Sequence, residues 1–388
     1  MKHTFKYIFG IFNSNNLSSK VNKTINRLFW NNTKINLKLI HDEIKSYNNI
    51  NISLNFKEKY YKSKKPKISL IITLYNQKYY IMRIYYCLQK QSLKDIEIIF
   101  VDDNSKDNSI NLIKKLMKND KRIIYIKNSI NKGQFYSRNK GVLNSKGEYV
   151  LIIDPDDLLL NDILIKIYLT AKKYHLDIVQ FYHTSGSFEK NIFKKIKING
   201  ILYQPQTKNV FFNCSDRFLW DKLIKRRIFI KSITFMNKKF RKERFAIHND
   251  ETACYGVFRV ANSYGLLEEI GYFWNRRIPN STSKLNMIPE NTNGRFRSIF
   301  TTMNYYYEQS DDNAFEKIKG GYNFFKIRIV PRYEKQIKYL TKGFDYIIKV
   351  INIYLNSSYF NEDKKKNLKR FKDKIYLQKM KVKRKNYN

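Results

Sequence analysis

The sequence predicts an α/β protein with a mostly parallel central sheet flanked by helices. Two observations predict it. From residue 67 onward, short apolar runs alternate with stretches whose apolar residues recur every three or four positions. Three of the apolar runs also end in polar or acidic residues, and open parallel sheets bind ligands outside the carboxyl ends of their strands.

The elements read in order as follows. Residues 68–74 form a strand, and 78–91 a helix with Ile81, Ile84, Tyr85 and Leu88 on one face. A strand at 96–101 leads to a helix at about 107–118. Ile110, Ile113, Leu116 and Met117 line one side of it, and Ser105 or Asp107 serves as N-cap. Then come a strand at 122–126, a helix near 134–145, a turn at Lys146-Gly147 and a strand at 148–153. A helix follows residue 158 and runs to about Tyr174, with a strand at 178–182 behind it. The region 186–245 is mixed in pattern and contains Phe218, Trp220, Asp221, Lys222 and Leu223, then Arg226-Arg227. A helix near 250–263 follows His248-Asn249-Asp250-Glu251, and a short strand at 265–270 leads into Tyr272, Phe273, Trp274 and Asn275. Residues 1–64 read as an Asn/Lys-rich N-terminal extension, 65–285 as the α/β domain in two halves (65–157 and 158–285), and 286–388 as a helical, basic C-terminal extension.

The chain has 388 residues, 43% of them apolar, enough for a substantial core. Its formal net charge is +42, from 75 basic and 33 acidic residues, so it should attract anions. Lys, Asn, Ile and Tyr dominate while Gly and Pro are scarce, the usage expected of an AT-rich coding sequence. Much of the charge therefore reads as scattered, solvated lysine. The cysteines Cys87, Cys214 and Cys254 are odd in number and widely spaced, which fits a reducing compartment better than a disulfide framework or a zinc site. No stretch of 18 apolar residues is present, and residues 1–12 lack a secretory pattern. The expectation is a cytoplasmic protein, or one peripheral on the cytosolic face of a membrane. Apolar spacings in residues 364–385 suit an amphipathic basic helix that can rest on anionic lipid, and a solvated tail is the alternative.

The chemistry lies at the strand ends. Asp154-Pro155-Asp156-Asp157 directly follows an apolar run, and three carboxylates in four residues either form an ordinary turn or hold a hard divalent cation. Asp102-Asp103-Asn104-Ser105 and Thr73-Leu74-Tyr75-Asn76 end the two earlier strands. Neither G-x-G-x-x-G nor a P-loop occurs, so a nucleotide's diphosphate must be neutralised another way, for which a cation on Asp154 and Asp156 suffices. Asp103 can accept a hydrogen bond from the imide N–H of uracil, Tyr75 can stack on the base, and Arg138 can meet phosphate or base oxygens. Taken singly, each of these residues also has an ordinary role in a turn, in packing or on the surface.

Together these segments resemble the family 2 glycosyltransferases, which have the Rossmann-like GT-A fold. The resemblance covers about residues 65–283: the strand and loop at 68–76, the acidic stretch at 98–109, the segment from Asn131 through Arg138 to Tyr149, and a D-x-D at Asp154 and Asp156. It implies a nucleotide-binding half at 65–157 and an acceptor half at 158–285. Thr73, Tyr75 and Asp103 would contact the uridine of a UDP-sugar, with Asn76 and Arg138 in the same donor-binding set. Asp154 would meet the nucleotide-sugar directly or through the metal, and Asp156 would ligate Mn2+ or Mg2+. Asp250 falls at the position of the catalytic base, although Asn249 stands where the family has Glu, and Glu251 is the neighbouring alternative. Segments 220–223 and 272–283 read as structural or acceptor-lining. The resemblance thus implies a metal-dependent inverting transferase acting on a hydroxyl of a glycan, lipid-linked or protein acceptor. The alternative is an inactive GT-A scaffold that binds nucleic acid or an anionic membrane. The acidic strand ends would repel a phosphate backbone, so no nucleic-acid partner is expected. A nucleotidyltransferase would need a glycine-rich phosphate loop near residue 75.

Overall fold

β-branched residues buried on both faces build the centre of the molecule. A computed structural model of the chain describes residues 63–160, 162–185, 202–203, 218–236, 238–241, 244–245, 247–275, 291–309, 334–358 and 360–385. The N-terminal extension up to residue 62, Cys214 and the segment 276–283 lie outside the described residues.

The strands are β1 (Ile68–Leu74), β2 (Ile96–Asp102), β3 (Ile123–Lys127), β4 (Tyr149–Ile153), β5 (Leu158–Leu159), β6 (Ile178–Ser185), β7 (Leu202–Tyr203), β8 (Lys222–Lys225) and β9 (Ser263–Trp274). They join in the order β3-β2-β1-β4-β8-β6-β9-β5, with β7 paired to β9. The first four are parallel, as the alternating pattern predicts. Beyond β4 the sheet is mixed. β8 runs antiparallel to both β4 and β6, which makes β6 parallel to β4, and β9 is parallel to β6. Every residue of β1, β2 and β4 is buried, as strands covered on both faces require.

Helices cover both faces. On one lie α1 (Lys78–Gln89), α2 (Ser109–Asn119) and α4 (Ile163–Lys173), packed on Leu70, Ile72, Phe100 and Leu151. The apolar face read for α1 is the buried one. In α2 only Ile113 and Leu116 of the four expected residues are fully buried. The other face packs on Ile71, Val101, Val150 and Ile152. It carries α3 (Gln134–Asn144), α5 (Arg226–Phe235), α6 (Lys238–Arg241) and α7 (Asn249–Val260). The same cluster continues into α8 (Thr292–Gln309), a 3-10 helix (Glu334–Tyr339), α9 (Phe344–Leu355) and α10 (Glu362–Lys385).

Three local expectations are corrected. The strand read at 265–270 is twelve residues long, Ser263–Trp274, because its partly exposed middle interrupts the apolar run without ending the pairing. α2 begins at Ser109, with Asn108 at the N-cap position and no side-chain cap. Ser105 accepts from the Asn76 amide instead, and Asp107 accepts from Ser109 N and Lys78 N. The tail is helical, but Leu368, Phe371 and Ile375 of its apolar residues are buried in the protein core, which leaves Tyr376, Leu377 and Met380 exposed. Ion pairs from Lys374 to Glu334 and from Lys379 to Asp345 hold α10 in place. Among the described residues no helix is long and apolar enough to cross a membrane.

The entry of β4 beside β1 is fixed by a buried carboxylate. Glu97 accepts from Ser69 Oγ and from the amides of Lys146 and Gly147, and Gly147 N also donates to Ser69 Oγ at 2.8 Å. A Cβ at Gly147 would lie 2.6 Å from Ser69 N and 2.9 Å from the Ile68 carbonyl carbon, both backbone atoms that cannot move aside. Gly147→Ala is therefore expected to destabilise the fold by about 1–3 kcal/mol, the cost of overpacking, read as a lowered urea midpoint with unchanged m-value.

Candidate active site

Because β1 is hydrogen-bonded to both β2 and β4, the three polar strand ends emerge side by side. After β1, Asn76 takes a left-handed conformation (φ 53°). Its amide donates to Ser105 Oγ (3.0 Å) and its side-chain oxygen accepts from Lys106 N (2.7 Å), so it joins the β1 turn to the β2 turn. Thr73 is buried beneath, while the Tyr75 side chain projects with 48% exposure.

After β2, Asp102 closes the turn by accepting from Ser105 N (2.8 Å) and Tyr125 OH (2.6 Å). Asp103 is only 4% exposed. Its carboxylate accepts from Asn128 Nδ2 (2.8 Å), Lys132 N (2.8 Å) and Gly133 N (2.7 Å). A carboxylate offers about four acceptor positions, so one, on Oδ2, is left for an outside donor. The residue read as a base reader thus also orders the loop that leads into α3 at Gly133, where φ is +87°.

After β4, Asp157 N donates to Asp154 O (3.1 Å) and closes the turn. The Asp157 carboxylate faces inward, accepting from Tyr272 OH (2.8 Å) and Asn275 N (2.8 Å), and Tyr272 OH accepts from Asp154 N (3.1 Å). One tyrosine of β9 therefore holds both ends of the acidic turn. Arg83 of α1 donates to the Asp156 carbonyl (3.3 Å) from the other side of the sheet.

Arg138 of α3 sits at the centre. Its Nη2 donates to Asp154 Oδ1 (2.7 Å), and its Nη1 to Asn249 Oδ1 (2.6 Å) and Asp250 Oδ1. Gln134 donates to the same Asp154 oxygen (2.9 Å) and accepts from Asn249 Nδ2 (3.3 Å), which closes the ring. The donors expected to face phosphate or base oxygens are here bonded to the chain's own carboxylates. Asn249 is a neutral group that both accepts from Arg138 and donates to Gln134. Glu251 lies elsewhere: its carboxylate pairs with His248 Nδ1 (2.7 Å). Of the two acids at the start of α7, Asp250 is the one that shares Arg138 with Asp154. Sequence reasoning missed Gln134 and Arg83, which carry no motif; Asp157 stood within the acidic run and Tyr272 at a noted landmark.

The electrostatics follow from this packing. Burial works against the Arg138 charge, but Asp250 and Asp154 outweigh it and hold the guanidinium above its ordinary range. Burial raises the Asp250 carboxyl, Asp154 and Glu251 raise it further, and Arg138 opposes them. Asp156 is pushed up to about 6, first by burial and then by Asp154. Arg83 and Arg138 oppose these effects, and the oxygen donors of the pair are of the kind Mg2+ and Mn2+ take. Both Asp157 oxygens are already bonded. Among the described residues no group of three His, Cys, Asp or Glu could hold a metal by itself. A cation here would use Asp154 and Asp156 and complete its shell with donor phosphate and water, as Mg2+ commonly does. The residues present fit such an ion.

Residues 69–233 match the sequence profile described as Glycosyl transferase family 2, a span that includes every strand end above and stops before Asp250. That span is a family 2 glycosyltransferase domain. The chain is 28% identical over 250 residues to the uncharacterized glycosyltransferase EpsJ of Bacillus subtilis, covering 62% of this chain and 71% of that one. It is 27% identical over 203 residues to the GalNAc(5)-diNAcBac-PP-undecaprenol beta-1,3-glucosyltransferase of Campylobacter jejuni, covering 51% of this chain and 62% of that one. The fold is that of the S. aureus TarS 1-349 fragment, with a TM-score of 0.59 at 14% identity, over 83% of this chain and 91% of that one. The same fragment has been solved with UDP-GlcNAc, and that complex superposes with a TM-score of 0.56.

The raised Asp156 carboxyl has a measurable consequence. Between its unfolded value near 3.9 and about 6, the folded state of this protein binds the extra proton, so stability falls as pH rises through that window. Asp157 and Asp250 act in the same direction. In EDTA, wild type is expected to lose stability from pH 4 to pH 7, and Asp156→Asn to lose up to about 3 kcal/mol less. Parallel pH profiles of the two proteins would refute this.

Proposed function

We propose that the chain transfers a sugar from a UDP-sugar to an acceptor hydroxyl with inversion, Asp250 acting as general base and Asp154 and Asp156 holding Mg2+ or Mn2+. The observation that carries this reading is Arg138 bonded at once to Asp154 and Asp250. It brings the donor-side carboxylate and the base, 96 residues apart in sequence (250 − 154), to opposite sides of one guanidinium.

Each residue then has a task. The exposed Tyr75 ring and the remaining acceptor position of Asp103 are offered to uracil. Asp154 and Asp156 receive the diphosphate end of the donor. A bound divalent cation supplies charge neutralisation for the departing diphosphate. Asp250, its proton affinity raised by burial, takes the proton of the acceptor hydroxyl as that oxygen attacks the anomeric carbon. Arg138 stays protonated at any working pH, so it orients the two carboxylates without competing for the proton. A single displacement turns an α-linked donor into a β-linked product. The name of the Campylobacter relative specifies a lipid-linked glycan and a β linkage, which supports a glycan acceptor, free or lipid-linked, for this chain.

Two measurements test the reading. Asp250→Asn is expected to slow transfer about 10²–10⁴-fold while UDP affinity changes little, and Glu251→Gln, whose side chain faces His248, to leave transfer near normal. Reversed effects would move the base to Glu251. In calorimetry, UDP is expected to bind at least tenfold more tightly with Mn2+ than in EDTA, about 1.4 kcal/mol. Equal affinities would remove the cation from the mechanism.

A further inference from the structure

Uracil presents its N3–H between two carbonyl oxygens, O2 and O4, so a pocket that reads the base needs an acceptor with a donor beside it. Asp103 is the acceptor, with one position open on Oδ2 next to the Gly133 amide (2.7 Å). Nearby side chains that could supply the donor are committed elsewhere. Asn128 Nδ2 gives its hydrogens to Asp103 Oδ1 (2.8 Å) and Ser137 Oγ (2.8 Å). Lys132 Nζ bonds Tyr136 OH (3.2 Å) and lies over that ring, 4.4 Å from its centroid. Arg138, the residue that the sequence offers for base oxygens, is 3% exposed and bonded to Asp154, Asn249 and Asp250.

A further donor comes from the chain just before α7. Phe245 is buried against Phe135 in the first turn of α3 (centroids 4.9 Å apart, 57° between planes). That contact seats Arg244 over the start of α3. A Cβ at Gly133 would stand 3.2 Å from Arg244 Cγ, so the arginine stem lies directly on the glycine whose amide serves Asp103. The rest of the side chain is not packed away. Arg244 is exposed, and among the described residues no ion pair engages its guanidinium. A guanidinium is a fixed fork of N–H donors with no acceptor, so it serves an oxygen and rejects an amino group.

We propose that Arg244 reads the donor base: its guanidinium donates to O4 of uracil while Asp103 Oδ2 accepts from N3–H. The inference rests on the UDP-sugar reading above and names the residue that gives it a choice of base. Cytosine reverses both groups. Its amino group at C4 would turn a donor toward Arg244, and its unprotonated N3 would turn an acceptor toward Asp103. A site built for one pattern rejects the other because its own polar groups are left unpaired. Arg244 is a binding residue here and takes no part in proton transfer.

Calorimetry on the full chain in Mn2+, with uridine, UMP, UDP and CDP, tests the proposal; the weaker ligands are measured by competition. Arg244→Ala is expected to weaken uridine, UMP and UDP by a similar factor of about ten and to leave CDP within about twofold. The preference for UDP over CDP then falls about tenfold. Arg244→Lys keeps a charge and a donor, and its preference is expected to lie between those of wild type and Arg244→Ala. Both variants should keep the wild-type urea midpoint, and Arg244→Lys carries the comparison if the alanine variant is less stable. Weakening confined to UDP and CDP, with uridine unchanged, would put the guanidinium on the diphosphate and overturn the proposal. A wild type that prefers UDP and an Arg244→Ala that keeps the same preference would overturn the proposal alone. A wild type that binds CDP as tightly as UDP would overturn the uridine reading and the proposal with it.

Discussion

Arg138 has 3% of its side chain exposed, and a cation withdrawn so far from water must be matched by anions and hydrogen-bond acceptors held in place. The chain meets this demand with Asp154 from the end of β4 and with Asn249 and Asp250 from the start of α7. Two carboxylates so close would repel each other without the guanidinium, and the guanidinium would not be buried without them. Much of the surrounding structure serves this exchange. α3 must lie against β1 and β2 closely enough to present Arg138, and a Cβ at Gly141 would come within 2.4 Å of Ile71 Cγ2. The loop before α3 is ordered by Asp103, and the turn that carries Asp154 by Tyr272.

The sheet supplies the second constraint. A parallel pair presents both carboxyl ends on one edge, and β1 between β2 and β4 collects three polar turns there. Had β8 alone followed β4, the strands beyond it would have pointed their carboxyl ends the other way. The antiparallel β8 followed by the antiparallel β6 reverses direction twice, which returns β6 and then β9 to the direction of β4. One edge of one sheet therefore carries acidic turns at one end and an aromatic cluster at the other. The buried polar group formed by Asp221, Lys222, Gln180 and Tyr264 lies beneath that second end and fixes β6, β8 and β9 against one another.

Particular residues show how far the site was legible. Thr73, Tyr75, Asn76, Asp103, Asp154 and Asp156 stand at strand ends, and an apolar run followed by acids is a local signal that needs no tertiary information. What each side chain bonds to was not legible. Ser105 was a sensible N-cap on sequence grounds, yet its oxygen serves the Asn76 amide because the β1 turn lies beside it. Asp103 appeared as a free carboxylate but has three donors, two of them backbone amides that no residue identity encodes. The tail's apolar stripe was read correctly as a helix face, but periodicity does not say whether protein or lipid covers such a face.

By itself the sequence determined the strand and helix order from β1 to β4, the acidic strand ends and the family likeness, because apolar periodicity and motif spacing act between near neighbours in the chain. Tertiary structure decided the rest. Arg138 meets Asp250 across 112 residues and Tyr272 meets Asp154 across 118, contacts that arise only once the sheet has brought distant turns to one edge. Tertiary structure also separated Asp250 from Glu251, since adjacent residues of a helix point about 100° apart and only one can face Arg138. A carboxylate's surroundings set its charge state, and those surroundings come from packing rather than from the residues next to it in sequence.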